Sequence, residues 1–371
     1  MAIVGGGLSG LALSIQLARK GHSVILFEKE KYPFHKVCGE YISLESWDFL
    51  VDLSVDLVKL EVPVITRLQI TSKNGRSVEH SLPLGGFGIS RYLLDQTLAE
   101  IAIAEGVNIY QACKVTAIRF INDEFIVEST VGNIEAKVAC GTFGKRSNLD
   151  IKWKRKFSGA TVNKLNNYVG IKYHVTGNFQ EDLIGLHNFH KGYCGIVRIE
   201  GNRYNLCYLT TAKNLRECGN DIHRMENEIL SANPFLSEIF TSAKFVNKTP
   251  LTISQISFDK KSQVEDHVLM SGDSAGMITP LCGNGMSMAL HGSKLAAIQI
   301  NHFLLGLIGR EKMEKRYSFH WKKQFSARLK TGRRIQKMIG NNLLSSLLIH
   351  TGKRFPSILD FMIRRTHGKS F

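Results

Sequence analysis

The chain predicts an α/β fold: a Rossmann-like domain assembled from separated segments, an inserted antiparallel β-sheet domain, and a helical C-terminal cap. Three observations carry this. Residues 2–28 read as strand, glycine turn, helix and strand; two strand-rich stretches then interrupt the chain; and the remainder from about residue 288 reads as helical and basic. At 371 residues, 43% of them hydrophobic, the chain can bury one large core or two smaller ones.

The elements follow in order. Residues 2–4 form a short apolar strand, short enough to leave open that residues precede it. A helix over about Ser9–Lys20 offers Leu11, Leu13, Ile15, Leu17 and Ala18 to a sheet, and Gly21 ends it. Ser23–Phe27 is a buried, parallel-type strand closing on Glu28. Residues 64–90 alternate as antiparallel strands do. Arg91–Gly106 is an amphipathic helix with Leu94, Leu98, Ile101 and Ala102 on one face. Val107–Tyr110 and Lys114–Arg119 are expected to return to the parallel sheet. Strands recur at Tyr168–Val175, Tyr193–Glu200 and Tyr204–Thr210, with a helix over Asp221–Ser231 and a strand at Val268–Ser271. Residues 1–62, 88–150 and 262–310 are therefore assigned to the Rossmann-like domain. Residues 63–87 and 151–261 are assigned to a substrate-binding sheet domain, and residues 311–371 to the basic helical region.

Composition narrows the setting. Seven scattered cysteines without a Cys-x-x-Cys pair fit reduced thiols rather than a disulfide frame or a zinc site, and no metal is expected. No signal peptide is apparent, and no stretch reaches the roughly 18 apolar residues of a membrane span. The expected location is cytoplasmic, with the inner face of the membrane as a place of contact. Of the net charge of +16, the tail is the main source: residues 310–371 carry sixteen Lys/Arg against three Asp/Glu, and the first 309 residues are close to neutral at +3.

Two glycine-rich segments carry the chemistry. In Val4-Gly5-Gly6-Gly7-Leu8-Ser9-Gly10, Gly5 permits a tight turn, Gly7 lets the backbone approach a pyrophosphate, and Gly10 lets helix and strand pack closely. The helix N-terminus beneath offers free N–H groups and a positive dipole end. Glu28 is placed to accept ribose hydroxyls and would repel a 2′-phosphate, which favours FAD or NAD over NADP. The second segment, Gly272-Asp273-Ser274-Ala275-Gly276 through Pro280 to Gly283-Asn284-Gly285-Met286, suits a flavin. Asp273 at a strand end can bind a ribityl hydroxyl, and the later glycines bring backbone N–H groups to the pyrimidine edge, where charge develops on reduction. The alternative for Asp273 is an ordinary helix cap.

With these residues the chain resembles the FAD-dependent oxidoreductases of the geranylgeranyl-reductase-like branch, relatives of the aromatic hydroxylases and flavin halogenases. The resemblance also rests on Pro33-Phe34-His35-Lys36-Val37-Cys38-Gly39-Glu40 and on Arg91 in Ile89-Ser90-Arg91-Tyr92-Leu93-Leu94-Asp95. It covers about residues 1–300 and implies tightly held FAD under a substrate sheet. The implied cofactor contacts are Gly5, Gly7, Gly10, Glu28, Lys29, Cys38, Gly39, Arg91, Val115, Gly272, Asp273, Pro280, Gly283, Gly285 and Met286. Two departures stand out. Cys140 occupies the place of the hydroxylases' middle Asp, and the halogenases' Trp-x-Trp-x-Ile-Pro signature is absent.

Cys38 is the candidate catalytic residue, as proton donor or as part of the pocket wall, against a plain loop role. Glu40 and Tyr41 are weaker candidates. His187 and His190 are candidates for the pocket, with structural hydrogen bonds as the alternative. Phe179, Phe189, Tyr193, Tyr204 and Tyr208 suggest an apolar roof, though core packing would explain them equally. The expected reaction is reduction of carbon–carbon double bonds in a lipophilic, isoprenoid or polyene-like substrate, free or carrier-bound. A visiting NAD(P)H or a separate reductase would supply electrons. The first alternative is an FAD-dependent monooxygenase acting on an aromatic or carrier-bound substrate, and the second is a non-catalytic flavin-bound adaptor. Interleaved cations and leucines in residues 310–371 suit a peripheral membrane or an acidic carrier protein. A solvated cap packed on the body is the plain reading. Nucleic acid is not expected, since no recognised module is present.

Overall fold

The computed structural model describes residues 1–158, 168–247, 249–256, 258–338 and 342–371. A six-stranded sheet forms the first layer, in the order Val264–Glu265, Val268–Met270, Ala139–Gly141, Ala2–Val4, Ile25–Phe27, Asn108–Tyr110. Its strands are parallel apart from the first pair. Their apolar, two-sided character requires helices on both faces. The Leu8–Ala18 helix packs against the Gly285–Leu304 and Arg91–Ala104 helices. Ser90 caps the last of these through Oγ, which accepts from Leu93 N at 3.1 Å.

The second layer is a nine-stranded sheet in the order Lys244–Phe245, Tyr168–Thr176, Arg203–Thr211, Gly192–Ile199, Leu183–Phe189, Val64–Thr71, Ser77–Gly88, Tyr41–Ser43, with Leu251–Ile256 also pairing to Tyr168–Thr176. It is antiparallel except where Leu183–Phe189 lies parallel to Val64–Thr71. The α/β fold with an antiparallel sheet and a helical C-terminal region is thus what the sequence predicts. One strand is placed differently. Val115–Ile121 does not return to the parallel sheet but forms a separate three-stranded meander with Glu124–Ser129 and Gly132–Ala136. Two two-residue turns, Asn122-Asp123 and Thr130-Val131, allow this local pairing, so the chain need not reach back across the fold.

The expected Asp221–Ser231 helix is a short turn of helix at Ile222–Met225 that widens to a π turn over Glu226–Leu230. In the tail, the Arg310–Met338 helix buries Met313, Tyr317, Trp321, Phe325 and Leu329. That four-residue spacing fixes one stripe on the body. The two helices beyond it, Asn342–Arg354 and Pro356–Thr366, bury Ile349 and Leu359 against Leu68, Ile70 and Val78 of the large sheet. Among the described residues, no helix is long and apolar enough to cross a membrane.

Candidate functional site

The glycine turn follows from contacts that a side chain would not tolerate. Gly5 adopts φ +110°, and a Cβ on Gly10 would stand 2.1 Å from Gly5 O. Thr142 Oγ1 donates to Gly5 O at 2.6 Å and ties the turn to the end of the third parallel strand. Glu28, buried at the end of the Ile25–Phe27 strand, accepts from Gly6 N at 2.8 Å and from Glu30 N at 3.1 Å. Each carboxylate oxygen keeps room for a further donor.

Gly7 differs from its neighbours. It caps the Leu8–Ala18 helix, which has no side-chain cap and no acidic residue in its first turn. A Cβ there would meet only Arg91 Nη2 at 3.6 Å and Lys36 Nζ at 3.7 Å. Two cations therefore face an uncapped helix N-terminus across a glycine, an arrangement suited to a phosphate. Asp95, fully buried, holds both: Arg91 Nε and Nη2 lie 2.8 Å from Oδ1 and Oδ2, and Lys36 Nζ lies 2.9 Å from Oδ2. Burial alone would raise the Asp95 carboxyl, but Arg91 and Lys36 hold it below its ordinary value.

The second glycine segment arrives at the same place. Ser271 Oγ accepts from Ser9 Oγ at 2.7 Å, and Gly272, with φ +64°, packs on Ser9. Asp273 is close enough to Arg91, Lys145 and Lys261 to feel their charge. Burial pushes its carboxyl above the ordinary value, and these cations oppose that. Burial likewise lowers the Lys145 and Lys261 ammonium groups to about 8. Lys261 Nζ donates to Asp273 O at 2.8 Å and Lys145 O at 2.7 Å. Farther on, Pro280–Cys282 forms a 3-10 turn, Gly283 takes φ +66°, and Gly285 opens a 20-residue helix without a side-chain cap. Met286 is buried in its first turn.

Cys38 is half-buried beside Arg91. Burial raises its thiol above the ordinary range, while Arg91 and a hydrogen bond from Glu40 N oppose the rise. Its carbonyl accepts from Asn205 Nδ2 at 3.2 Å, which ties this loop to the large sheet. Gly39 is exposed beside it. Lys29 turns its ammonium toward Glu30 at the surface, 3.7 Å away. Val115 buries its side chain in the core and leaves only backbone to a ligand.

Glu40 is a further buried carboxylate of the site. Its Oε1 takes Lys172 Nζ at 2.5 Å and Arg91 N at 2.8 Å, and its Oε2 pairs with His174 Nε2 at 2.7 Å. Burial would raise its carboxyl, but His174 and Lys172 hold it below the ordinary value. Lys172 and His174 are not among the residues the sequence singles out. Their signal is a lysine and a histidine two apart in the otherwise apolar Tyr168–Thr176 strand, hence on one face. Lys36 and Asp95 also escape the sequence reading as site residues; Asp95 is readable as the i+4 partner of Arg91.

The structure corrects the aromatic and histidine expectations. Only Tyr193 faces the site side, packed with Leu209, Met277 and Leu281. Phe179, Phe189, Tyr204 and Tyr208 lie on the opposite face, under helices drawn from residues 212–242. His187 is buried, bonded to Thr71 Oγ1 at 3.0 Å and stacked on Phe235, so its role is structural. Burial lowers it to about 4. His190 contributes its carbonyl to Asn214 Nδ2.

Asp273→Asn has opposite expected effects on stability and on ligand. The raised carboxyl makes the buried charge unfavourable above its pKa, and that cost fades as pH falls. The neutral variant should melt at a higher temperature at pH 7, by a few degrees, yet bind flavin about tenfold more weakly. A variant with unchanged melting and unchanged flavin affinity would remove Asp273 from the site.

The chain has the fold found in geranylgeranyl-reductase-like proteins and flavin-dependent halogenases. Residues 3–54 match the NAD(P)-binding Rossmann-like domain family. The chain is similar to a flavin-dependent brominase, with a TM-score of 0.81 at 16% identity, covering 98% of this chain and 92% of that one. It is similar to a geranylgeranyl bacteriochlorophyll reductase-like protein from Thermoplasma acidophilum, with a TM-score of 0.77 at 15% identity, covering 98% of each. In sequence it is 24% identical to conditioned medium factor receptor 1 of Dictyostelium discoideum over 384 residues, 97% of this chain and 72% of that protein.

Proposed function

We propose that the chain is an FAD-dependent oxidoreductase of the cytoplasm that reduces carbon–carbon double bonds in a lipophilic, isoprenoid or polyene-like substrate. One observation carries the reading. Two glycine segments more than 260 residues apart meet at Ser9–Ser271, with Arg91 and Lys36 over Gly7 and Asp273 beside them.

These residues fit the cofactor. The Leu8–Ala18 N-terminus, Arg91 and Lys36 would hold the pyrophosphate, Glu28 the ribose hydroxyls, and Asp273 a ribityl hydroxyl. The N-terminus at Gly285 would support the pyrimidine edge. Bound FAD would supply the two-electron redox chemistry. Cys38 keeps its proton at neutral pH because burial raises the thiol, so Sγ can give a proton to one carbon of the double bond while the other gains hydride. Glu40, through its bonds to Arg91 N, Lys172 and His174, fixes the loop that carries Cys38. Tyr193, Leu209, Met277 and Leu281 form an apolar wall that excludes water. With a single dinucleotide fingerprint, electrons would come from a visiting NAD(P)H or a separate reductase.

The test is to purify the protein, record its absorbance, reduce it without oxygen and add a polyprenyl substrate. Flavin bands and substrate-dependent reoxidation are expected, with Cys38→Ala slower by about 100-fold at unchanged flavin content. Substrate-coupled oxygen consumption would favour a monooxygenase. The receptor among the relatives gives the adaptor reading its own support; a bound flavin that no donor reduces would favour it. Protein that cannot be loaded with FAD would end the flavoenzyme reading.

A further inference from the structure

We propose that the outer face of the last helix and the turn before it docks on an anionic lipid bilayer. The inference rests on that face alone, independently of the reaction. Phe355, Ile358 and Phe361 recur every three residues, and Arg365 follows at i+4 from Phe361, so they share one side of the Pro356–Thr366 region. Phe355 is 54% exposed and Phe361 58%. Single exposed apolar groups are ordinary on a soluble protein, but here three align beside the cations Lys353, Arg354, Arg364 and Arg365, all exposed.

The opposite side of the same helix explains why these residues point outward. Leu359 is buried, Met362 and Ile363 pack with it against Leu68, Ile70 and Val78, and Asp360 pairs with His80 at 2.9 Å. The docked side fixes the helix, and the free side is held in place. Arg365 lies over the Phe361 ring at 4.8 Å, leaving a cation at the rim of an aromatic anchor.

Charge selects the occupant. Four cations flank the stripe, and within Asn342–Arg354 and Pro356–Thr366 the one acidic residue, Asp360, is half-exposed and paired with His80. An interfacial helix needs this composition: aromatic and aliphatic side chains for the acyl boundary, cations for the headgroups, and few carboxylates, here one already paired with a histidine. An acidic protein would satisfy the cations but would need its own groove for two protruding phenylalanines.

Sedimentation of the full chain with vesicles tests this. Binding is expected to vesicles of phosphatidylcholine containing about one-third phosphatidylglycerol, but not to phosphatidylcholine alone, and about 0.5 M salt should reverse it. F355S/F361S and, separately, R364Q/R365Q should each weaken binding about tenfold or more. Their circular dichroism melts should match the wild type, since the replaced groups are exposed. Failure of the wild type to sediment with anionic vesicles would overturn the proposal. So would vesicle binding that neither double variant changes, or binding to acyl carrier protein, as an acidic-protein probe, without binding to vesicles.

Discussion

Gly7→Trp is expected to give a folded protein that retains no flavin. Gly7 has an ordinary extended backbone, with φ −85°, and its missing side chain faces no packed core. Only Arg91 and Lys36 come within 4 Å of the point where a Cβ would stand, at 3.6 and 3.7 Å. An indole there would fill the gap between the glycine turn and both cations, where the pyrophosphate is proposed to sit. Two charge-assisted contacts at about 1.5–3 kcal/mol each would be lost, or about 10²–10⁴ in affinity. Gly10→Ala is the informative contrast: its methyl would strike Gly5 O at 2.1 Å, so flavin and fold should be lost together. Absorbance of the purified variants, alongside their melts, separates the two cases. A Gly7→Trp protein with wild-type flavin content would refute the placement of the pyrophosphate.

The second large effect is expected from Lys172→Met. Glu40 and Lys172 are both almost wholly inaccessible, at 0% and 1% side-chain exposure. Methionine fills a similar volume but leaves the Glu40 carboxylate without its closest cation. Removing one partner of a buried pair costs about 3–5 kcal/mol, read as a lower urea midpoint at pH 7. Lys172→Met with Glu40→Gln should recover much of that loss, because the uncompensated charge is gone. The pH dependence follows from the lowered Glu40 carboxyl. Its contribution is fully present above the ordinary carboxylate range and is lost as pH falls through the folded value. Glu40→Gln should flatten this part of the acid limb. Because Glu40 also holds Arg91 N, flavin retention should weaken in the same variants. A Lys172→Met protein as stable as the wild type would show that the ion pair contributes nothing net.

Much of the fold is legible in the sequence because its signals are local. The spacing of Leu11, Ile15 and Ala18, the stop at Gly21 and the apolar run to Phe27 declare a strand–helix–strand unit within thirty residues. The Val115–Ile121 strand escapes correct placement because alternation reports that a segment is a strand, not which sheet it joins. The Glu40–Lys172–His174 cluster is hidden for a related reason. Lys172 looks anomalous in an apolar strand, but its partner is 132 residues away.

The aromatic residues show the same division. Period-two alternation puts Tyr193 and Tyr208 on opposite faces, since Tyr208 pairs with Cys194, next to Tyr193 in its strand. The sequence alone thus determined the Rossmann-like unit, its glycine turn, the two-faced strands and the basic tail, all consequences of steric and periodic constraints acting over a few residues. Tertiary structure alone decided which sheet face meets the glycine segments, that Ser9 touches Ser271, and that Glu40 pairs with Lys172 and His174. Those outcomes depend on burying apolar area and pairing buried charge across the whole chain, and no local pattern encodes them.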